Sequence, residues 1–208
     1  RTLTYYVKLK DNVPLNTGEA IQNNAKVFSK EYERAEHNAS FNPNIKYAMP
    51  KNREGDIVRN ENGSYTIKYK IEFTLRKPDS NYPLKNFSFV DCLDYSDFNT
   101  DSKAREYVSY DRNSVQLYYQ KDGESKGSLV DKSAYKIQWS KDEGTTYKDT
   151  WTETDGNPTR FKITGTAGNP IIVNPGDYYY ATYTVTVKPE AMAAMQADNV
   201  TIKNRYLV

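Results

Sequence analysis

Tyr65-Thr66-Ile67-Lys68-Tyr69-Lys70-Ile71-Glu72-Phe73-Thr74-Leu75-Arg76 alternates without a break. Tyr65, Ile67, Tyr69, Ile71, Phe73 and Leu75 share one parity, while Thr66, Lys68, Lys70, Glu72, Thr74 and Arg76 share the other. Successive side chains of a strand point to opposite faces, so the pattern predicts a half-buried antiparallel strand with a solvated outer face. Lys68 and Lys70 belong to that wet face, which removes them from any chemistry of the core. Glu61-Asn62-Gly63 ahead of the run is a turn signal.

The next run, Phe87-Ser88-Phe89-Val90-Asp91-Cys92-Leu93, carries an oddity. Phe87, Phe89, Asp91 and Leu93 share one parity, so a carboxylate falls among two phenylalanines and a leucine on the core face. A carboxylate there needs a partner or a raised pKa. Further strands are expected at 114–119, 134–140, 159–164 and 177–188. They are separated by turn clusters such as Lys121-Asp122-Gly123, Thr154-Asp155-Gly156-Asn157 and Asn174-Pro175-Gly176-Asp177. Residues 189–197 are rich in Ala and Met and open on a proline, which suits a short helix before the last strand. Many short strands, many turn signals and no helical period predict an all-β sandwich.

The end of the chain, Ile202-Lys203-Asn204-Arg205-Tyr206-Leu207-Val208, repeats Ile21-Gln22-Asn23-Asn24-Ala25-Lys26-Val27. In each copy an asparagine sits at an apolar parity. Thr4-Tyr5-Tyr6-Val7-Lys8-Leu9-Lys10 likewise repeats Thr182-Tyr183-Thr184-Val185-Thr186-Val187-Lys188. A carboxamide aimed into a core costs free energy unless satisfied, so Asn204 is either hydrogen-bonded there or covalently linked. The repeat predicts that residues 1–28 are the tail strands of a preceding similar domain. The charged residues 29–40 then read as a linker, and 41–208 as the domain proper. The opening inside a strand-like run without an initiator Met predicts a fragment of a longer chain.

Composition narrows the function classes. The 208 residues carry 29 basic and 27 acidic side chains, well interspersed, for a net charge of +2. That argues against nucleic acid and anionic membrane as partners. Nineteen tyrosines supply strand-forming, half-buried area in a chain that is 37 % hydrophobic. Cys92 stands alone, which excludes an intrachain disulfide, and the only histidine, His37, is far from it in sequence. A catalytic thiol is therefore not expected, nor are paired carboxylates on a glycosidase scaffold, a metal loop or a cofactor site.

Assembled in order, these segments resemble the isopeptide-forming Ig-like domains of Gram-positive surface proteins, of the collagen-adhesin and pilin backbone type. Asn44-Ile45-Lys46-Tyr47-Ala48-Met49-Pro50 is similar to the family's opening strand with its reactive lysine. Phe89-Val90-Asp91-Cys92-Leu93 is similar to the strand that supplies the acid, and Ile202-Lys203-Asn204 to the closing strand with the acceptor. The resemblance spans about residues 42–208. It implies an Ig-like sandwich, a Lys46–Asn204 cross-link assisted by Asp91, and single-turnover self-modification rather than enzymatic turnover. Simple alternation instead puts Lys51 with Ile45, Tyr47 and Met49 on one face and Lys46 on the other. Lys46 is preferred for its family-like flanking residues, with a bulge to correct its parity, and Lys51 is the reserve candidate. The resemblance also implies an extracellular, cell-wall-anchored stalk or adhesin. Its partners would be neighbouring domains of the same chain, with a host protein or glycan left open as an outside ligand. Tyr178-Tyr179-Tyr180 and Tyr118-Tyr119 invite a second class, a carbohydrate-binding module with exposed tyrosine platforms.

Overall fold

In a computed structural model of the chain, the described residues are 21–29, 32–41, 47–77, 80, 83–93, 106–191, 193–194 and 205–207. Strands β1 (Ile21–Ser29) and β2 (Tyr32–Phe41) form an antiparallel hairpin with a bulge between Val27 and Phe28. The stretch expected to be a charged linker is thus mostly strand. Its Glu, Arg and His side chains hide the apolar alternation, and backbone pairing with β1 supplies what side-chain pattern does not. The upstream copy of the repeat, residues 4–10, lies outside the described residues.

The remaining strands are β3 (Tyr47–Ala48), β4 (Lys51–Arg53), β5 (Val58–Arg59), β6 (Tyr65–Leu75), β7 (Ser88–Cys92), β8 (Val108–Gln120), β9 (Ser128–Leu129), β10 (Tyr135–Ser140), β11 (Arg160–Gly165), β12 (Tyr178–Val187) and β13 (Arg205–Leu207). They build two antiparallel sheets. One runs β3-β6-β12-β8-β9, with β4 and β5 following β3 along the same edge of β6; the other runs β10-β11-β7-β13. The protein is an all-β sandwich. Helical stretches among the described residues are short: 3-10 turns at Lys132–Ala134 and Glu153–Asp155, and a helical segment that includes Glu190 and Ala191.

The alternation of β6 is realised: Ile71, Phe73 and Leu75 are buried, and Lys68 is exposed. Aromatic rings join the two sheets. Phe73 of β6 meets Phe87 at 4.3 Å, and Phe161 of β11 packs edge-on against Tyr110 of β8 and Tyr183 of β12 at 5.3 and 4.9 Å. Edge-to-face contact of this kind adds about 1 kcal/mol beyond the area it buries.

Strand β8 begins earlier than its apolar pattern suggests and carries a large bulge. Thr184 pairs with Asp111 and Thr182 with Gln116, so residues 112–115 oppose the single residue Tyr183. Ser114 pins the bulge by donating to the Asp111 carbonyl at 2.6 Å and accepting the Thr184 amide at 2.8 Å. Bulges re-aim the side chains beside them. Here they flank Tyr110 and Tyr183, both inward and buried.

Turn chemistry closes one end of the large sheet. Asp177 is buried and accepts from the Asn174 amide, the Asn174 side chain and the Asp122 amide. Gly176 between them has φ +91°, and a Cβ there would sit 2.5 Å from the Asp122 carboxylate, so glycine is required on both counts.

Candidate functional site: a buried carboxylate between the sheets

Asp91 is central in the small sheet, opposite Phe161 of β11 and Tyr206 of β13 in backbone register. Its side chain is fully buried, as its parity with Phe87 and Phe89 requires. From there it reaches across the sandwich. Lys51 Nζ donates to Oδ1 at 2.5 Å, the Tyr183 hydroxyl donates to the same oxygen at 2.5 Å, and the Tyr110 hydroxyl donates to Oδ2 at 2.8 Å. Four elements converge: β4, β7, β8 and β12.

Lys51 arrives without any bulge. Tyr47 pairs with Leu75, Lys51 with Ile71 and Arg53 with Tyr69, one continuous register. Lys51 therefore shares a face with Tyr47 and Met49, as simple alternation gives. Its ammonium lies 5.2 Å from the centre of the Tyr69 ring and 5.4 Å from that of Tyr183, and its side chain is 7 % exposed. Tyr69 and Tyr183 stack at 5.7 Å across β6 and β12, so the amine rests in an aromatic slot.

The electrostatics follow from dryness. Burial pulls the Lys51 amine below its ordinary value, outweighing the attraction of Asp91. Burial likewise raises the Asp91 carboxyl, outweighing the Lys51, Tyr183 and Tyr110 contacts that favour its ionised form. Both shifts favour the neutral members of the pair, an amine beside a carboxylic acid. Such an arrangement can supply a nucleophilic nitrogen and a proton donor together.

Lys46 and Asn204 lie outside the described residues, so the structure brings together Asp91 and Lys51 of the candidates read from the sequence. Tyr110 and Tyr183 went unassigned there. Tyr183 had a signal, since it shares parity with Ala181, Val185 and Val187; Tyr110 sits in the polar stretch before the bulge and had none. Among the described residues no group of three His, Cys, Asp or Glu could hold a metal ion.

The tyrosine-rich outer face is a separate surface. Tyr118 and Tyr180 stack at 4.6 Å with an interplanar angle of 3°, and Lys70 sits 4.5 Å from the Tyr180 centroid. These rings spend their faces on each other and on a lysine.

No protein-family model matches the chain, and no curated protein matches it either. Among solved structures, one similar chain is AvmM, described as catalysing macrocyclization in alchivemycin A biosynthesis. It is 10 % identical over 79 % of this chain and 71 % of its own, with a TM-score of 0.25. At that score the likeness carries no argument about fold or activity.

Proposed function

We propose that this protein is a stalk or adhesin domain of a Gram-positive cell-wall-anchored surface protein, stabilised by an autocatalytic isopeptide bond between Lys51 and Asn204 with Asp91 as the acid. The observation that supports it is the Lys51–Asp91 contact, 2.5 Å long and enclosed by Tyr69, Tyr110 and Tyr183. The backbone register adds to it. Tyr206 pairs with Asp91, and Asn204 has the parity of Tyr206 two residues earlier.

The chemistry balances without a cofactor. Proton transfer from Lys51 to Asp91 leaves a neutral amine and a carboxylic acid. The acid hydrogen-bonds the Asn204 carbonyl oxygen, and Nζ attacks the amide carbon. A C–N bond forms, the original amide C–N bond breaks, and ammonia leaves with a proton relayed by Asp91. One turnover consumes the site, so the domain is no enzyme in the usual sense. By analogy with disulfide loop closure, the link restricts the unfolded chain by about 5 kcal/mol. It also ties β4, at the edge of one sheet, to the residue that precedes β13, at the edge of the other, so tension along a stalk crosses a covalent bond instead of unzipping hydrogen bonds.

Intact mass is the test. The purified chain should weigh one ammonia less than its sequence, and peptide mapping should place the link at Lys51. An unmodified mass leaves Lys51 and Asp91 as an ordinary buried pair. A link mapped to Lys46 overturns the choice of nucleophile alone.

A further inference from the structure

The Asp91 carboxylate is held by more donors than a proton shuttle needs. Oδ1 receives both Lys51 and Tyr183, while Oδ2 receives Tyr110, whose hydroxyl also lies 3.4 Å from the Thr159 carbonyl oxygen. Both tyrosines come from the sheet opposite Asp91, and the β8 bulge that flanks them is itself hydrogen-bonded in place. A hydroxyl donating into a carboxylate stabilises the ionised form.

We infer that Tyr110 and Tyr183 are positioning residues that set the proton distribution within the Lys51–Asp91 pair, opposing the burial that favours its neutral form so that the reactive neutral pair is less populated than burial alone would make it. The inference deepens the cross-linking reading and rests on it for its consequence on rate. Lys51 must pass one proton from Nζ to Oδ1 before its nitrogen can attack. Each tyrosine hydroxyl bond to the carboxylate opposes that transfer. Tyr110 has a second acceptor in Thr159, so it can turn its proton there and accept from a protonated Oδ2. Tyr183 holds the oxygen beside the amine. The other groups facing Asp91 are consistent with this division. Tyr69 on β6 acts on it through space, Cys92 follows it on its own strand and acts on Lys51, and Phe161 opposite on β11 is apolar.

The test uses the full chain carrying Asn204→Ala, which removes the acceptor amide, with isotopically labelled aspartate. Infrared spectroscopy at neutral pH then reads the protonated carboxyl band of Asp91, identified by its loss in Asp91→Ala. Adding Tyr110→Phe or Tyr183→Phe, each of which keeps the ring, should raise the protonated-to-ionised ratio about tenfold, the scale of one lost hydrogen bond to a charged group. In the chain that retains Asn204, made by cell-free synthesis, the same substitutions should speed the loss of ammonia by a similar factor. The two variants are read separately, so either one that keeps the parent's near-UV circular dichroism decides the matter. An unchanged carboxyl band, or slower loss of ammonia, overturns the inference. If the Asn204 chain never loses ammonia, the cross-link reading fails, while the carboxyl band still reports on the tyrosines.

Discussion

Two lysine–carboxylate pairs lie on opposite sides of the same large sheet, and their chemistry runs in opposite directions. Lys51 and Asp91 meet at 2.5 Å on the inner side, with side-chain exposures of 7 and 0 %. Lys70 and Glu72 meet at 2.7 Å on the outer side, with exposures of 26 and 16 %. Each pair has tyrosine rings beside the ammonium and a tyrosine hydroxyl on the carboxylate. Inside, burial outweighs the attraction, so the lysine falls and the aspartate rises. Outside, burial pulls the same way but loses to the hydrogen bonds, so Lys70 rises and Glu72 falls. Partner identity is therefore not what pushes a lysine toward its neutral form; the missing water is.

The largest break in this comparison is Asp91→Ala. It leaves Lys51 in an aromatic slot without its carboxylate, and breaking a buried pair by removing one partner costs about 3–5 kcal/mol. It also removes the acid, so the protein should keep its ammonia. Urea denaturation and intact mass read the two effects. A variant that unfolds at the parent's urea concentration would mean that the Lys51–Asp91 contact contributes nothing to stability.

Lys51→Met comes next. The proposed nucleophile is gone and Asp91 faces a thioether, which should leave the mass unmodified and cost about 1–3 kcal/mol near neutral pH. The pH dependence has a definite sign. A carboxyl whose folded value is raised binds its proton more tightly in the folded state. Its stabilising contribution is present below the ordinary aspartate value and is lost as pH rises towards the folded one. Lys51→Met should therefore be more stable in mild acid than at neutrality, as read by thermal melts across pH. A melting temperature that climbs over that window would contradict a raised Asp91.

Glu72→Gln sharpens the contrast from the outside. A half-buried pair on an outer face, still reached by solvent, contributes about 1 kcal/mol at most, and this one is to be read at low salt. Glu72 is depressed, so its contribution is present above the ordinary glutamate value and fades as pH falls through the lowered one. The stability gap between parent and Glu72→Gln should accordingly close in acid, because Glu72, unlike Asp91, loses its contribution there. A gap that widens in acid would place Glu72 in an environment like that of Asp91.

Much of this frame was legible in the sequence because strand parity is a local property. The period of Tyr65 to Leu75 located a long strand of the large sheet, and Asp91 betrayed itself by sharing parity with Phe87 and Phe89. Lys51 followed from the same alternation, whereas the flanks of Lys46 pointed elsewhere. The hairpin partner β2 was illegible, since Glu33, Arg34, Glu36 and His37 mask its strand character and only pairing with β1 defines it. Tyr110 was hidden for a different reason. Its burial depends on a four-residue bulge whose anchor, the Ser114 hydroxyl on the Thr184 amide, joins residues 70 apart. No local period reports a contact of that range.

That range has a further consequence for the order of events. The donors to Asp91 lie 40, 19 and 92 residues away along the chain. None of the three contacts exists until both sheets have docked, and it is docking that expels water from the carboxyl. Asp91 in a half-made chain is an ordinary aspartate beside a solvated lysine. The site thus arms itself last, after the chain has passed its own inspection, and chemistry there would keep a permanent record that folding reached completion.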